Sequence, residues 1–319
     1  MKALVTGASG FLGGAVARAL AGKGVAVRVL VRAGARPNLA DPVEIVEGDL
    51  RDAEAVHRAA AGCDAVFHAG GLYSFFAAPD ELDAVNVGGT RNVLAAVRAA
   101  GARLVHTSSI STIGGMRGDR LPDETQDADT APGPYKASKA AAERLVRDAA
   151  RDGVDAVIVN PTFPVGRGDV KPTPTGAVIR DFLAGKLPAY VDTGMNVIDV
   201  DDVAEGHWLA FERGQRGERY ILGNTNLTMR ELLAQLAAIS GCKPPRVRLP
   251  YRVALGLAHA DALLAGGIRV PLEGVRTARE IRFANTARSV RELGLPQPPI
   301  RTALEKAVAW FQLHPHPQA

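Results

Sequence analysis

The 319-residue chain is poor in cysteine, with Cys63 and Cys242 alone and no CxxC pair. That excludes a disulfide scaffold and a cysteine-rich zinc site, and it suits a reducing, cytoplasmic compartment. Aromatic residues make up only 5% of the chain. No apolar run reaches the ~18 residues that a membrane-spanning helix needs. Neither charge dominates: Lys+Arg is 38 and Asp+Glu is 34, a formal net charge of +4. The excess is spread along the chain without a basic block, which argues against nucleic acid or a membrane surface as partner. The histidines form no H-x-x-x-H or HExxH pair, so no metal is expected. The first 21 residues have some features of a signal peptide: Lys2, an apolar stretch and Ala19-Leu20-Ala21. Thr6, Ser9 and Arg18 interrupt that stretch, and the glycines within it have a better explanation.

What the chain has in quantity is apolar residues, 47% of the total, enough for a sizeable core. In the first half they fall in short runs: Lys2–Thr6, Ala26–Val31, Val43–Glu47, Asp64–His68, Arg103–Thr107 and Asp155–Asn160. Nearly every position in each run is apolar, the mark of parallel strands buried on both faces. Between them, Leu12–Leu20, Glu54–Ala61, Leu82–Ala100 and Tyr135–Arg151 carry apolar residues at helical spacing. Strand and helix in alternation predict an α/β fold with a doubly wound parallel sheet.

After about Gly166, proline and glycine become frequent. Residues 1–166 are expected to form one domain and 167–319 a smaller α/β lobe, with segments around 189–222 returning to the first domain. Strands are expected at Ala189–Asp192 and Arg219–Leu222. Thr228-x-x-Glu231 and Thr302-x-x-Glu305 read as capping boxes that open two further helices. His314-Pro315-His316 reads as a loose tail.

Four motifs carry chemistry. Gly7-Ala8-Ser9-Gly10-Phe11-Leu12-Gly13 follows the first strand and opens a helix. Glycines there allow a tight turn and close approach of the backbone to a pyrophosphate, which the helix N-terminus attracts. Arg32 ends the second strand where an NAD site has an acidic residue for the ribose hydroxyl; an arginine there suits the 2′-phosphate of NADP(H), with Arg36 as a second contact. Gly48-Asp49-Leu50 offers Asp49 to an adenine amine and Leu50 to its ring, or else Asp49 caps the next helix. Tyr135 and Lys139 stand at i and i+4 on one helix face, so that the ammonium is expected to lower the phenol pKa. Thr107-Ser108-Ser109 lies past the fifth strand, at the sheet edge where such folds place ligands.

The chain resembles the extended short-chain dehydrogenase/reductases. The likeness covers nearly its whole length: GASGFLG at 7, GDL at 48, HAGG at 68, TSSIST at 107, YKASK at 135, NPTFPVG at 160 and DVDDVAEGH at 199. Within the family it is most similar to dihydroflavonol-4-reductase-like enzymes, above all to the bacterial hopanoid-associated sugar epimerases. That finer likeness rests on KPTPTG at 171, AYVDTG at 189 and GERYILG at 217.

The resemblance implies roles. Tyr135 would be the general acid or base, Lys139 would bond the nicotinamide ribose, and Ser109 would orient the substrate carbonyl, ahead of Ser108. His68, Ala69 and Gly70 would line the cofactor near its middle, with Gly70 and Gly71 loosening that wall. Pro161 to Val165, including Phe163, would pass the nicotinamide carboxamide, and Asn86 would hold the site's hydrogen bonds. Asn160 matches an asparagine near sugar phosphates in related epimerases, or is a turn residue. Asp202 would cap the helix after 199. A homodimer through the helices at 82–100 and 135–151 is implied as well.

Tyr73, Phe75 and Phe76 crowd one loop after the fourth strand, with Phe163 and Tyr190 as possible neighbours. They predict either an apolar or ring-shaped substrate, or a loop stapled to the core. The activity expected is an NADP(H)-dependent reduction of a carbonyl through Ser109, Tyr135 and Lys139. The alternative is a sugar or nucleotide-sugar epimerase or dehydratase that recycles its NAD(P).

Overall fold

The computed structural model describes residues 1–35, 37, 39, 43–74, 77–116, 118–128, 133–265, 275–276 and 278–315. Its first half alternates as the hydrophobic pattern requires. Strand β1 (Lys2–Thr6) leads to helix α1 (Phe11–Gly22), then β2 (Ala26–Val31), β3 (Glu44–Glu47), α2 (Ala53–Ala60) and β4 (Ala65–His68). After β4 come a short α3 (Pro79–Leu82), a π-helical turn at Asp83–Gly88 and α4 (Gly89–Ala100). They form one continuous helical run where a single helix was expected. Then follow β5 (Arg103–Thr107), a 3-10 turn at Ile110–Thr112, α5 (Pro134–Arg151) and β6 (Ala156–Pro161).

The second half contains β7 (Phe163–Val165), α6 (Pro174–Leu183), β8 (Ala189–Val191), β9 (Gly194–Asp199), α7 (Val200–Arg213) and β10 (Arg219–Leu222). It ends with β11 (Thr225–Thr228), α8 (Met229–Ser240), β12 (Val247–Leu249), α9 (Tyr251–Ala265), a π-helical turn at Ser289–Leu293 and α10 (Ile300–Leu313).

Seven strands form one sheet in the order β10-β6-β5-β4-β1-β2-β3, and every pairing in it is parallel. The expected doubly wound sheet is therefore present. The order reverses between β1 and β4, which opens the crevice where such sheets take ligands. Side chains alternate between two cores. Ala3, Val5, Phe67 and Val105 pack on the side of α1 and α7, and Leu4, Val66 and Leu104 on the side of α2, α4 and α5. The inner strands are thus dry on both faces, which is why they read as unbroken apolar runs; the run at 43–47 departs from that expectation, since β3 lies at the sheet edge and is largely exposed.

The rest of the chain packs around β11-β9-β7, the pair β12-β8 and helices α6, α8 and α10, with Leu232, Leu236, Leu304 and Phe311 at its centre. Within the stretch 189–222, β10 joins the large sheet and α7 packs on α1, whereas β8 and β9 stay in the small sheets. The Thr228 capping box forms, with Glu231 N–H donating to Thr228 Oγ1 at 3.2 Å and Thr228 N–H to Glu231 Oε2 at 2.8 Å.

Three expectations need correction. Helix α10 starts at Ile300, so Thr302 lies inside its first turn and caps nothing. Pro299, with φ fixed and no N–H to lose, begins the helix instead. Helix α7 starts at Val200, and Asp199 is its cap rather than Asp202: its carboxylate accepts from Asp201 N–H at 3.0 Å. His314 is no loose tail, since its ring stacks on Trp310 with centroids 3.9 Å apart; His316 lies outside the described residues. Among the described residues no helix is long and apolar enough to cross a membrane.

Candidate active site

The glycine turn sits at the carboxyl end of β1, beside the crevice. Gly7 has φ +76°, and a Cβ there would stand 2.7 Å from the Gly70 backbone. A Cβ on Gly13 would stand 2.3 Å from the Gly7 carbonyl oxygen. Both positions therefore need glycine, one for its left-handed backbone and both for closeness. Gly10 precedes α1 without any side-chain cap, so the first N–H groups of a 12-residue helix face the turn. Ser9 and Gly10 are exposed, and Phe11 and Leu12 are half-buried. This bare helix end and side-chain-free cradle fit a dinucleotide pyrophosphate.

A chain of hydrogen bonds runs from this turn toward α5. Gly70 N–H donates to Thr6 Oγ1 at 3.0 Å, and Thr6 Oγ1 meets His68 Nδ1 at 2.8 Å. His68 Nε2 meets Thr90 Oγ1 at 3.1 Å, and Thr90 donates to the Asn86 carbonyl at 2.6 Å. Burial lowers the His68 pKa to about 3, so the ring is neutral. Since Thr90 spends its proton on Asn86, it accepts from His68, which assigns the proton to Nε2. Asn86, held in the π-helical turn, bonds Leu72 N–H at 2.7 Å and donates to Ser138 Oγ at 2.9 Å. Ser138 in turn donates to the Tyr135 carbonyl at 2.8 Å. Asn86 thus ties the loop before Tyr73 to the start of α5.

The glycines at 70 and 71 do not loosen the wall. A Cβ at Gly70 would meet Leu50 Cδ1 at 2.8 Å and Thr6 Oγ1 at 2.9 Å, and one at Gly71 would meet Asn86 Oδ1 at 3.0 Å. The wall is close-packed, and glycine is what allows that.

Tyr135 and Lys139 follow each other one turn apart at the start of α5. Ser109 ends the strand side, its hydroxyl accepting from Ser111 N–H at 3.1 Å. Lys139 Nζ donates to the Thr107 carbonyl at 2.8 Å. Burial brings the Lys139 pKa down to about 8, with the Glu143 carboxylate opposing it. The Tyr135 phenol moves the other way from the expectation. Burial and the neighbouring Tyr73 raise its pKa, and a hydrogen bond with Ser109 opposes them. Burial thus outweighs any lowering by the ammonium one turn away. A raised pKa keeps the phenol protonated, as a proton donor must be.

Behind these residues lies a buried polar cluster that the sequence reading missed. Glu143 accepts from Thr112 Oγ1 at 2.6 Å, Asn160 Nδ2 at 2.8 Å, Arg219 Nη1 at 3.0 Å and Ser108 Oγ. The Ser108 hydroxyl is therefore engaged by Glu143, which also holds Asn160. Glu143 stands four residues past Lys139 on the same helix face, a spacing that would have flagged it. His106 is also buried, its ring centroid 5.3 Å from that of His68, and neither ring nitrogen has a partner among the described residues. His207 takes the Thr107 hydroxyl at 2.8 Å and donates to the Val203 carbonyl at 2.8 Å.

The remaining expected positions divide. Arg32 is exposed at the end of β2 without an ion-pair partner among the described residues; Arg36 lies outside them. Asp49 is gripped by Arg51 through Nε at 2.8 Å and Nη2 at 2.9 Å, which holds its pKa low. It does not cap α2; Asp52 does. Leu50 packs against Gly70 and Gly89, and Ala69 lies at the back of Gly7. Pro161 and Val165 are buried, while Phe163 and Tyr190 pack against the core around Leu232 and Phe311. Tyr73 is exposed and lays its ring on Tyr135, centroids 4.7 Å apart. Phe75 and Phe76 lie outside the described residues. No cluster of His, Cys, Asp or Glu among the described residues fits a metal.

The chain is similar to known proteins over most of its length. A provisionally named dihydroflavonol 4-reductase from Synechocystis is 43% identical over 97% of this chain and 94% of its own. Sterol demethylase protein B of Methylococcus capsulatus is 33% identical over 98% of each chain. A 2-alkyl-3-oxoalkanoate reductase of Stenotrophomonas maltophilia is 37% identical over 77% of each. The solved structure of gox2253 superposes with a TM-score of 0.87 at 39% identity, covering 98% of both chains. The family model of NAD dependent epimerases/dehydratases matches residues 3–223, and the chain belongs to that family, whose members are extended short-chain dehydrogenase/reductase enzymes.

Proposed function

We propose that the protein is an NADP(H)-dependent carbonyl reductase. The observation that carries this reading is the grouping of Ser109, a protonated Tyr135 and Lys139 beside a glycine cradle. Gly7, Gly10 and Gly13 would hold the pyrophosphate, and Arg32 would meet the 2′-phosphate. When bound, the reduced nicotinamide supplies the hydride that the carbonyl carbon takes up. Ser109 holds the carbonyl oxygen, and Tyr135 gives it the phenolic proton. Lys139, anchored on the Thr107 carbonyl, sits one turn from the phenol and favours its anionic form after the transfer. Arg32 supports NADP(H) over NAD because it is exposed and carries no ion pair among the described residues. Two of the relatives are named as reductases of carbonyl compounds, one of them of oxo acids. The family name keeps a second reading in view, an epimerase or dehydratase that recycles NAD in place.

The test begins with the purified protein. Nucleotide released on denaturation is identified by chromatography and mass, and NADPH and NADH oxidation are followed with a panel of ketones and aldehydes. The expected result is little retained nucleotide, a preference for NADPH, and a loss of about 10²–10⁴-fold in kcat for Tyr135→Phe with NADPH binding intact. Retained NAD near one per chain, with no carbonyl reduced, would overturn the reductase reading in favour of the recycling one.

A further inference from the structure

Arg282 belongs to none of the motifs above. It lies on a short extended stretch that runs beside β9: Arg282 N–H donates to the Gly194 carbonyl at 2.8 Å, and Asn196 N–H donates to the Arg282 carbonyl at 3.0 Å. The backbone is thus clamped to the small sheet, and the side chain is held at the rim of the tyrosine site. Its side chain is only 11% exposed. Glu280 pairs with its Nη2 and also lies 3.4 Å from Nζ of Lys136, the residue after Tyr135. Tyr73, whose ring lies on Tyr135, is near enough to act on its charge.

A buried guanidinium is costly unless its donors are used. Here Nε is fully buried and has no hydrogen-bond partner among the described residues. Burial pulls the Arg282 pKa down, and Glu280 and Tyr73 hold it up. Arg282 is thus a fixed cation with one donor, Nε, that no described residue takes, near the aromatic pair of Tyr73 and Tyr135. We propose that Arg282 is the specificity-determining residue for a carboxylate on the substrate, in the same molecule whose carbonyl meets Tyr135. A single carboxylate fits better than a doubly charged phosphate, because Glu280 already places a negative charge beside the guanidinium. This inference rests on the reductase reading and names its substrate class as oxo acids.

The experiment compares 3-oxooctanoate with its methyl ester, using NADPH and the full chain. The wild type is expected to favour the acid at least tenfold in kcat/KM. Arg282→Gln should abolish that preference by raising KM for the acid, with the ester unchanged, and Arg282→Lys should restore part of it. Binding is read separately, by the rise in Tm that 3-hydroxyoctanoate causes in the NADP-loaded protein. That rise should vanish in Arg282→Gln and be absent with the hydroxy ester. Equal reduction of acid and ester by the wild type would overturn the inference and leave the reductase reading intact. Failure to reduce any carbonyl would overturn that reading. The Tm comparison would then decide the anion site alone, and no acid-specific rise would overturn it. An Arg282→Gln chain that fails to fold passes the decision to Arg282→Lys and to the wild-type comparison of acid with ester.

Discussion

At the residue scale, Asp202 shows how position sets chemistry. It misses the helix cap by three places and instead lines a cavity of about 180 Å³ with Asp199, Asn224 and Lys306. Its Oδ2 is buried without a partner among the described residues. Burial, then the Asp199 carboxylate, raises its pKa to about 6. The folded state therefore holds a proton between about pH 4 and pH 6 that the unfolded chain has lost, and stability falls as pH rises through that window. Asp202→Asn should remove this penalty. At pH 8 the variant is expected to be more stable by about 1 kcal/mol, allowing for partial exposure, which is about 2 °C in Tm. The difference should vanish near pH 4. A variant no more stable than wild type at pH 8 in a thermal melt would show that the carboxylate is fully solvated.

At the scale of elements, the junction of β1 and α1 carries the sharpest steric demand. Gly7→Ala puts a side chain on a left-handed backbone and drives it into Gly70. The backbone alone costs about 1–2 kcal/mol, and the contact forces β1 and β4 apart where the pyrophosphate would lie. Calorimetry is expected to show NADPH affinity reduced by at least tenfold, with the fold retained by circular dichroism. Unchanged affinity would remove the cradle from the binding site. This junction was legible in the sequence because glycine leaves a signature there. So were Tyr135 and Lys139, which one helical turn brings together. Strands β1, β2 and β5 were legible to their ends because two dry faces demand apolar side chains throughout. Helix α10 was misread because its Thr-x-x-Glu pattern competes with a proline three residues earlier, and the proline wins. The Glu143 cluster was not legible because its members come from α5, β6, β10 and two turns, and only the fold brings them together.

At the scale of the whole molecule, sequence reading was weakest after residue 166. The strands there are three to six residues long, and the five that make up the two small sheets pair across stretches that no local pattern announces. Assembly is the corresponding prediction. Helices α4 and α5 cover one face of the large sheet, and Arg91, Ala95, Ala137 and Arg144 are exposed along them. We propose that this face pairs with its copy in a second chain. Light scattering on the eluting peak should give twice the chain mass of 33.5 kDa. A particle of one chain mass at micromolar concentration would exclude the pairing.

The hydrogen bonds from Gly70 through Thr6, His68 and Thr90 to Asn86 all point one way, each group accepting from the one before. Such a row has a polarity, and its dipoles add. Reversing it would require the histidine to exchange its tautomer while both threonines rotate. The Gly70 amide and the Asn86 carbonyl, whose roles cannot reverse, forbid that. The row therefore has a single low-energy proton order. The floor of the crevice and the turn that positions α5 are thereby locked into one register, so the site does not have to choose among arrangements before it can work.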